Sequence, residues 1–111
     1  MIEKITQDYL NDTMSAPAYL QIPDNPPEKF LIIEKTGGSV ENFLKGAVLA
    51  IKSYAGSLYD AAQLNEELKT AMQNIAVLGE ISSCKLNTDY NFSDTARGIN
   101  RYQAVFDIFY Y

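Results

Sequence analysis

Cys84 is the only thiol in a chain of 111 residues, and histidine is absent. A cysteine nucleophile needs a base to take its proton, and a structural zinc ion needs about four thiolate or imidazole ligands. Lys85 stands beside Cys84, but no base partner accompanies it, so Cys84 reads as a small buried or half-buried side chain. Asp89, Asp94 and Asp107 cluster toward the C-terminal strands and could pair as acid and base or hold a divalent cation. Their spacing matches neither a calcium loop nor a paired-carboxylate motif, which makes them solvated charges of loops and sheet faces. Gly37-Gly38-Ser39 contains the sole glycine pair, without the lysine and further glycines of a phosphate cradle, and reads as a turn. The expectation is a protein that is not an enzyme and carries no cofactor or metal.

The elements that must position these residues fit one domain of ordinary size. Hydrophobic residues make up 47% and charged residues 21%, a balance that excludes a disordered chain. Fourteen acidic residues against nine basic give a net charge of −5. The cations are scattered, with only Arg97 and Arg101 close together, so direct or sequence-specific nucleic-acid binding is disfavoured. A single cysteine suits a reducing compartment. Residues 1–10 contain Glu3 and Asp8 and lack the apolar run of a signal peptide, and no stretch approaches the roughly 20 apolar residues of a membrane helix. The expectation is a soluble cytosolic protein with no membrane contact.

Ile2, Ile5, Tyr9 and Leu10 predict a short helix ending near residues 11–13. Residues 18–22 form a short strand candidate confined by Pro17 and Pro23. Phe30-Leu31-Ile32-Ile33-Glu34 predicts a strand that stops at the Gly37-Gly38 turn, with a loop over 37–42 and a second long strand over 43–55. A helix over 58–77 carries the stripe Ala61, Leu64, Leu68, Ala71, Met72, Ile75 and Leu78, with Ser57 as N-cap and Gly79 as its stop. A strand over 81–92, a loop over 93–100 and a final strand follow. In that last strand Tyr102, Ala104, Phe106, Ile108 and Tyr110 point one way, and Arg101, Gln103, Val105, Asp107 and Phe109 the other. The fold class is α+β: a mostly antiparallel sheet of four to five strands, with the long helix and the short N-terminal helix on one face.

Tyr90, Phe92, Tyr102, Phe106, Phe109, Tyr110 and Tyr111 crowd the C-terminal part of the chain. A sheet with helices on one face buries aromatics on both faces only if something covers the second. That cover is either a loop or another chain, and the sequence leaves both open.

Four stretches together resemble a known family: Phe30-Leu31-Ile32-Ile33-Glu34-Lys35-Thr36-Gly37; Ala50-Ile51-Lys52-Ser53-Tyr54-Ala55-Gly56-Ser57-Leu58-Tyr59-Asp60-Ala61-Ala62; Lys85-Leu86-Asn87-Thr88-Asp89-Tyr90-Asn91-Phe92; and Arg101-Tyr102-Gln103-Ala104-Val105-Phe106-Asp107-Ile108. In that order and spacing the chain resembles the small tail-terminator proteins, also called tail-completion or head–tail joining proteins, of long-tailed bacteriophages and prophages. The resemblance implies an α+β domain that assembles with itself into a ring, a hexamer in the virion. Such a ring caps the tail tube, stops its polymerisation and offers a joining surface to the capsid neck, without catalysis. The implied partners are further copies, the major tail protein and a neck or head-completion protein, and the implied location is the virion tail, reached from the host cytoplasm. An acidic lumen would keep passing DNA from sticking. The alternative is a small acidic α+β binding or regulatory module that contacts a host or phage protein.

Polar, glycine-containing segments over 37–43 and 91–101, together with the surplus aromatics, are the expected contacts. The candidate interface residues are Gly38, Asn42, Phe43, Tyr90, Phe92, Arg97, Arg101, Val105, Phe109 and Tyr111.

Overall fold

A computed structural model describes residues 1–41 and 43–111, with the side chain of Glu41 outside that description. The order is α1 (Ile2–Thr13), β1 (Ala18–Tyr19), β2 (Phe30–Glu41), β3 (Leu44–Ala55), α2 (Leu58–Gln73), a 3₁₀ turn (Ile75–Val77), β4 (Ile81–Asn91), a second 3₁₀ turn (Thr95–Arg97) and β5 (Asn100–Tyr110). The five strands form one sheet in the order β1-β2-β3-β5-β4, antiparallel except for the β1–β2 pair. Both helices pack on the same face, as the apolar patterns require.

In α1, Ile2, Thr6 and Leu10 recur at four-residue spacing and are buried. The Thr6 hydroxyl donates to the Ile2 carbonyl at 2.8 Å, which makes a polar residue tolerable on that stripe. The expected strand over 18–22 shrinks to two residues paired in parallel with Leu31 and Ile32. The Asn11 side chain accepts from the Ala18 amide at 2.8 Å and, with Gln7, donates to the Ala18 carbonyl. These side chains occupy the backbone groups that another strand would take, and Pro23 closes the segment.

The largest departure from expectation is at Gly37-Gly38-Ser39. These residues are not a turn, and the loop expected over 37–42 is strand as far as Glu41, Asn42 lying outside the described residues. β2 continues through both glycines to Glu41, and β3 pairs with it up to Glu41 opposite Leu44. A bulge between Lys35 and Gly37 absorbs one residue and restores the register. Each further antiparallel pair satisfies backbone groups that a loop would leave to water, and that outweighs the weak strand preference of glycine. Phe43 lies at the tip, at φ +66°.

α2 begins as expected: the Ser57 hydroxyl accepts from the Asp60 amide at 3.1 Å. Ala61, Leu64, Leu68 and Met72 are buried, with Asn65 added to the stripe. The helix ends at Gln73, before Gly79, because the Asn74 amide turns back to Ala71 and the chain tightens into the 3₁₀ turn that buries Ile75. β4 is the far edge, broken by bulges between Ile81 and Ser83 and between Leu86 and Thr88. The core lies between helices and sheet, built on Leu31, Ile33, Leu49, Ile51, Leu68 and Phe106. No helix among the described residues is long and apolar enough to cross a membrane.

Candidate interaction surface

The groups that chemistry would need are held apart. Asp89 accepts from Lys69 at 3.0 Å and from the buried Asn65 amide at 2.9 Å, and Lys69 is pushed above its ordinary range chiefly by that bond. Asp94 caps the 3₁₀ turn by accepting from the Arg97 amide. Asp107 accepts from Asn87 at 3.1 Å. Among the described residues no group of three or more acids or cysteines is placed to hold a metal ion.

Cys84 faces the helices, at the wall of a cleft of about 420 Å³ between α2 and β4 that Lys69, Met72 and Phe106 also line. Burial, helped by the Asp107 carboxylate, pushes its thiol from 9.0 up to about 11. A cysteine that acts as a nucleophile has its thiolate favoured, the opposite direction. At pH 8 the thiolate population is therefore on the order of a hundredfold below that of an unperturbed cysteine. Alkylation by iodoacetamide should be slower by a similar factor, and modification as fast as in a free peptide would contradict the burial. The folded state favours the protonated thiol, so its stabilising contribution is whole below pH 9 and fades as pH rises toward 11.

The register of the four long strands sets out the face that neither helix touches. Strand alternation places Phe30, Ile32 and Glu34 of β2 on it. Opposite them stand Tyr54, Lys52 and Ala50 of β3, followed by Arg101, Gln103 and Val105 of β5. Past the β2 bulge come Gly37 and Ser39, opposite Val48 and Gly46, then Asp107 and Phe109. Tyr90, Thr88 and Lys85 of β4 complete the rows.

One end of this face is an aromatic cluster threaded by cations. Phe30 and Tyr54 stack with centroids 4.5 Å apart and planes 8° from parallel. Tyr19 and Ile99 pack on them, so a loop covers this corner and both rings are buried. Arg101 lies over Phe92 at 4.8 Å and over Tyr54 at 5.6 Å. Its Nε donates to the Phe92 carbonyl at 2.7 Å, and the Phe92 amide donates back to the Arg101 carbonyl at 2.9 Å. Lys52 reaches the same ring at 6.0 Å and Glu34 at 3.6 Å. Tyr90 meets Phe92 edge-on, and its hydroxyl accepts from Gln103. Tyr90 and Phe92 remain exposed.

The other end is a trough. Gly37 and Gly46 leave the sheet without side chains, and Val48, Phe109, Lys85 and Asp107 border a cavity of about 480 Å³.

Five of the ten expected residues, Tyr90, Phe92, Arg101, Val105 and Phe109, thus belong to one surface. Gly38 pairs with Ala47 and belongs to the opposite face of β2. Phe43 is fully exposed at the arm tip. Arg97 is exposed beside Asp94 in the 3₁₀ turn, and Tyr111 is exposed with its amide on the Glu80 carbonyl. Asn42 lies outside the described residues. Sequence reading missed Tyr54, Phe30, Lys52 and Gly46, and placed Gly37 in an expected contact segment but as part of a loop. The pairing of β2 with β3 brings these to the helix-free face, and its full extent is invisible while Gly37-Gly38 is taken for a turn.

No protein-family model matches the sequence, and a search of curated proteins returns no relative.

Proposed function

We propose that this protein acts by assembling with copies of itself into a ring that caps a phage tail tube, halts its polymerisation and offers a joining surface to the capsid neck, without catalysis. The sequence resemblance set out above suggests the role. The observation that carries it here is the sheet face free of helices, which combines the exposed Tyr90–Phe92 pair with a shallow trough beside Gly37, Val48 and Phe109. Exposed aromatic rings beside an arginine are side chains enriched at protein contacts. The separated carboxylates and the disfavoured Cys84 thiolate support an assembly role over a catalytic one.

Electron microscopy of particles produced without this protein tests the reading. Tails of uncontrolled length, unattached to capsids, are expected. Complete virions with tails of normal length would overturn it.

A further inference from the structure

β2 changes character halfway along. Phe30, Leu31, Ile32 and Ile33 are buried and fix its first half, whereas none of residues 34–40 is buried. β1 covers the outer edge of β2 at Leu31 and Ile32, and beyond them no other strand flanks that edge among the described residues. A bulge between Lys35 and Gly37 interrupts the ladder where the second half begins. Residues 37–41 are therefore held chiefly by their pairing with β3.

The strand on their inner side is fixed differently. β3 stays paired with β5 as far as Lys45 opposite Tyr110, and its Ala47 and Leu49 are buried in the core. β3 can keep its place when the end of β2 lets go.

The glycines point the same way. Among the described glycines a positive φ is found at Gly98 alone, so neither Gly37 nor Gly38 is required by its backbone conformation. Nor is space short: a Cβ at Gly37 would meet nothing closer than Val48 at 3.7 Å, and one at Gly38 would meet the movable end of the Lys35 side chain at 3.3 Å. Gly46 differs, since a Cβ there would lie 2.6 Å from the Ser39 hydroxyl. A glycine loses more freedom on entering a strand than any other residue and packs nothing in return. Two in succession beside a bulge weaken this stretch without a steric need for either.

We propose that residues 37–41 form a flap, hinged at the bulge, that detaches from β3 while the remainder of the sheet stays folded. Opening bares the outer backbone edge of β3 over residues 44–48 without breaking into the core. The device is separate from the assembly reading and does not depend on it.

Hydrogen exchange of the full chain, read amide by amide by NMR, tests it. The β3-facing amides of 37–41 should exchange roughly a hundredfold faster or more than those in the first half of β2, once intrinsic rates are allowed for. Low concentrations of urea should leave the flap rates unchanged, because so local an opening exposes little surface. The β5-bonded amides of β3 should keep the protection of the core. Gly37→Val adds a strand-favouring side chain in open space and should slow exchange of the flap about fivefold. Equal protection along the whole of β2, loss of the β5-bonded amides of β3 together with the flap, or a Gly37→Val chain whose flap exchanges no more slowly would each overturn the proposal.

Discussion

Phe106→Ala should cost about 4 kcal/mol of folding stability, the largest loss expected from any single truncation considered. Phe106 is 2% exposed and sits where every layer meets. Leu49 of β3 stands opposite it on one side and Leu86 of β4 on the other, and the α2 residues Leu68 and Met72 belong to the same cluster. Removing the ring takes apolar area out of the core and leaves a void that paired strands cannot collapse around. The urea midpoint, followed by far-UV circular dichroism because the chain has no tryptophan, should fall by about 2 M at the usual slope for a small domain. Phe106→Leu should cost less than about 1.5 kcal/mol. A loss under 1 kcal/mol for the alanine variant, on the order of an ordinary surface change, would mean that the helix layer does not close over β5.

Arg101→Ala should destabilise by about 2 kcal/mol, a large figure for a partly exposed residue. The guanidinium contributes in three ways at once: a short bond to the Phe92 carbonyl, contact with the Phe92 ring, and contact with Tyr54. These join the C-terminal end of the edge strand β4 to the centre of the sheet. Arg101→Lys is the informative comparison. Lysine keeps the charge but lacks the planar fork that donates and stacks together, so it should recover less than half of the loss. Hydrogen exchange would locate the effect: amides near 90–93 should lose protection while those of β3 keep theirs. Uniform loss across the sheet, or full rescue by lysine, would contradict this account.

Legibility in the sequence varied with the kind of signal. The α2 stripe was plain because Ala61, Leu64, Leu68 and Met72 repeat on one face and Ser57 has a capping hydroxyl. The last strand was plain because Ala104, Phe106 and Ile108 are buried and alternate with the less buried Val105, Asp107 and Phe109. The end of α2 was misread because Gly79 is a common stop, whereas the chain tightened five residues earlier to bury Ile75. The arm was misread for a deeper reason. A glycine pair signals a turn only when no partner strand is waiting, and Lys45-Gly46-Ala47 provides one. With that pairing hidden, the trough was hidden too, since only the register sets Gly37 and Val48 beside Asp107 and Phe109. The aromatic cluster was half legible. Phe92 and Arg101 stood out by composition, but Tyr54 and Lys52 join them through a register that no local pattern announces.

The strand order carries a consequence for how the molecule is made. β5 lies between β3 and β4, yet it follows β4 along the chain. As the nascent polypeptide leaves the ribosome, the β2–β3 hairpin can zip at once and α2 can settle on it. β4 then emerges with no neighbour and must wait, unpaired, for the strand translated after it. Sheet completion therefore waits on β5, and chaperones or premature partners would compete for β4 during that interval.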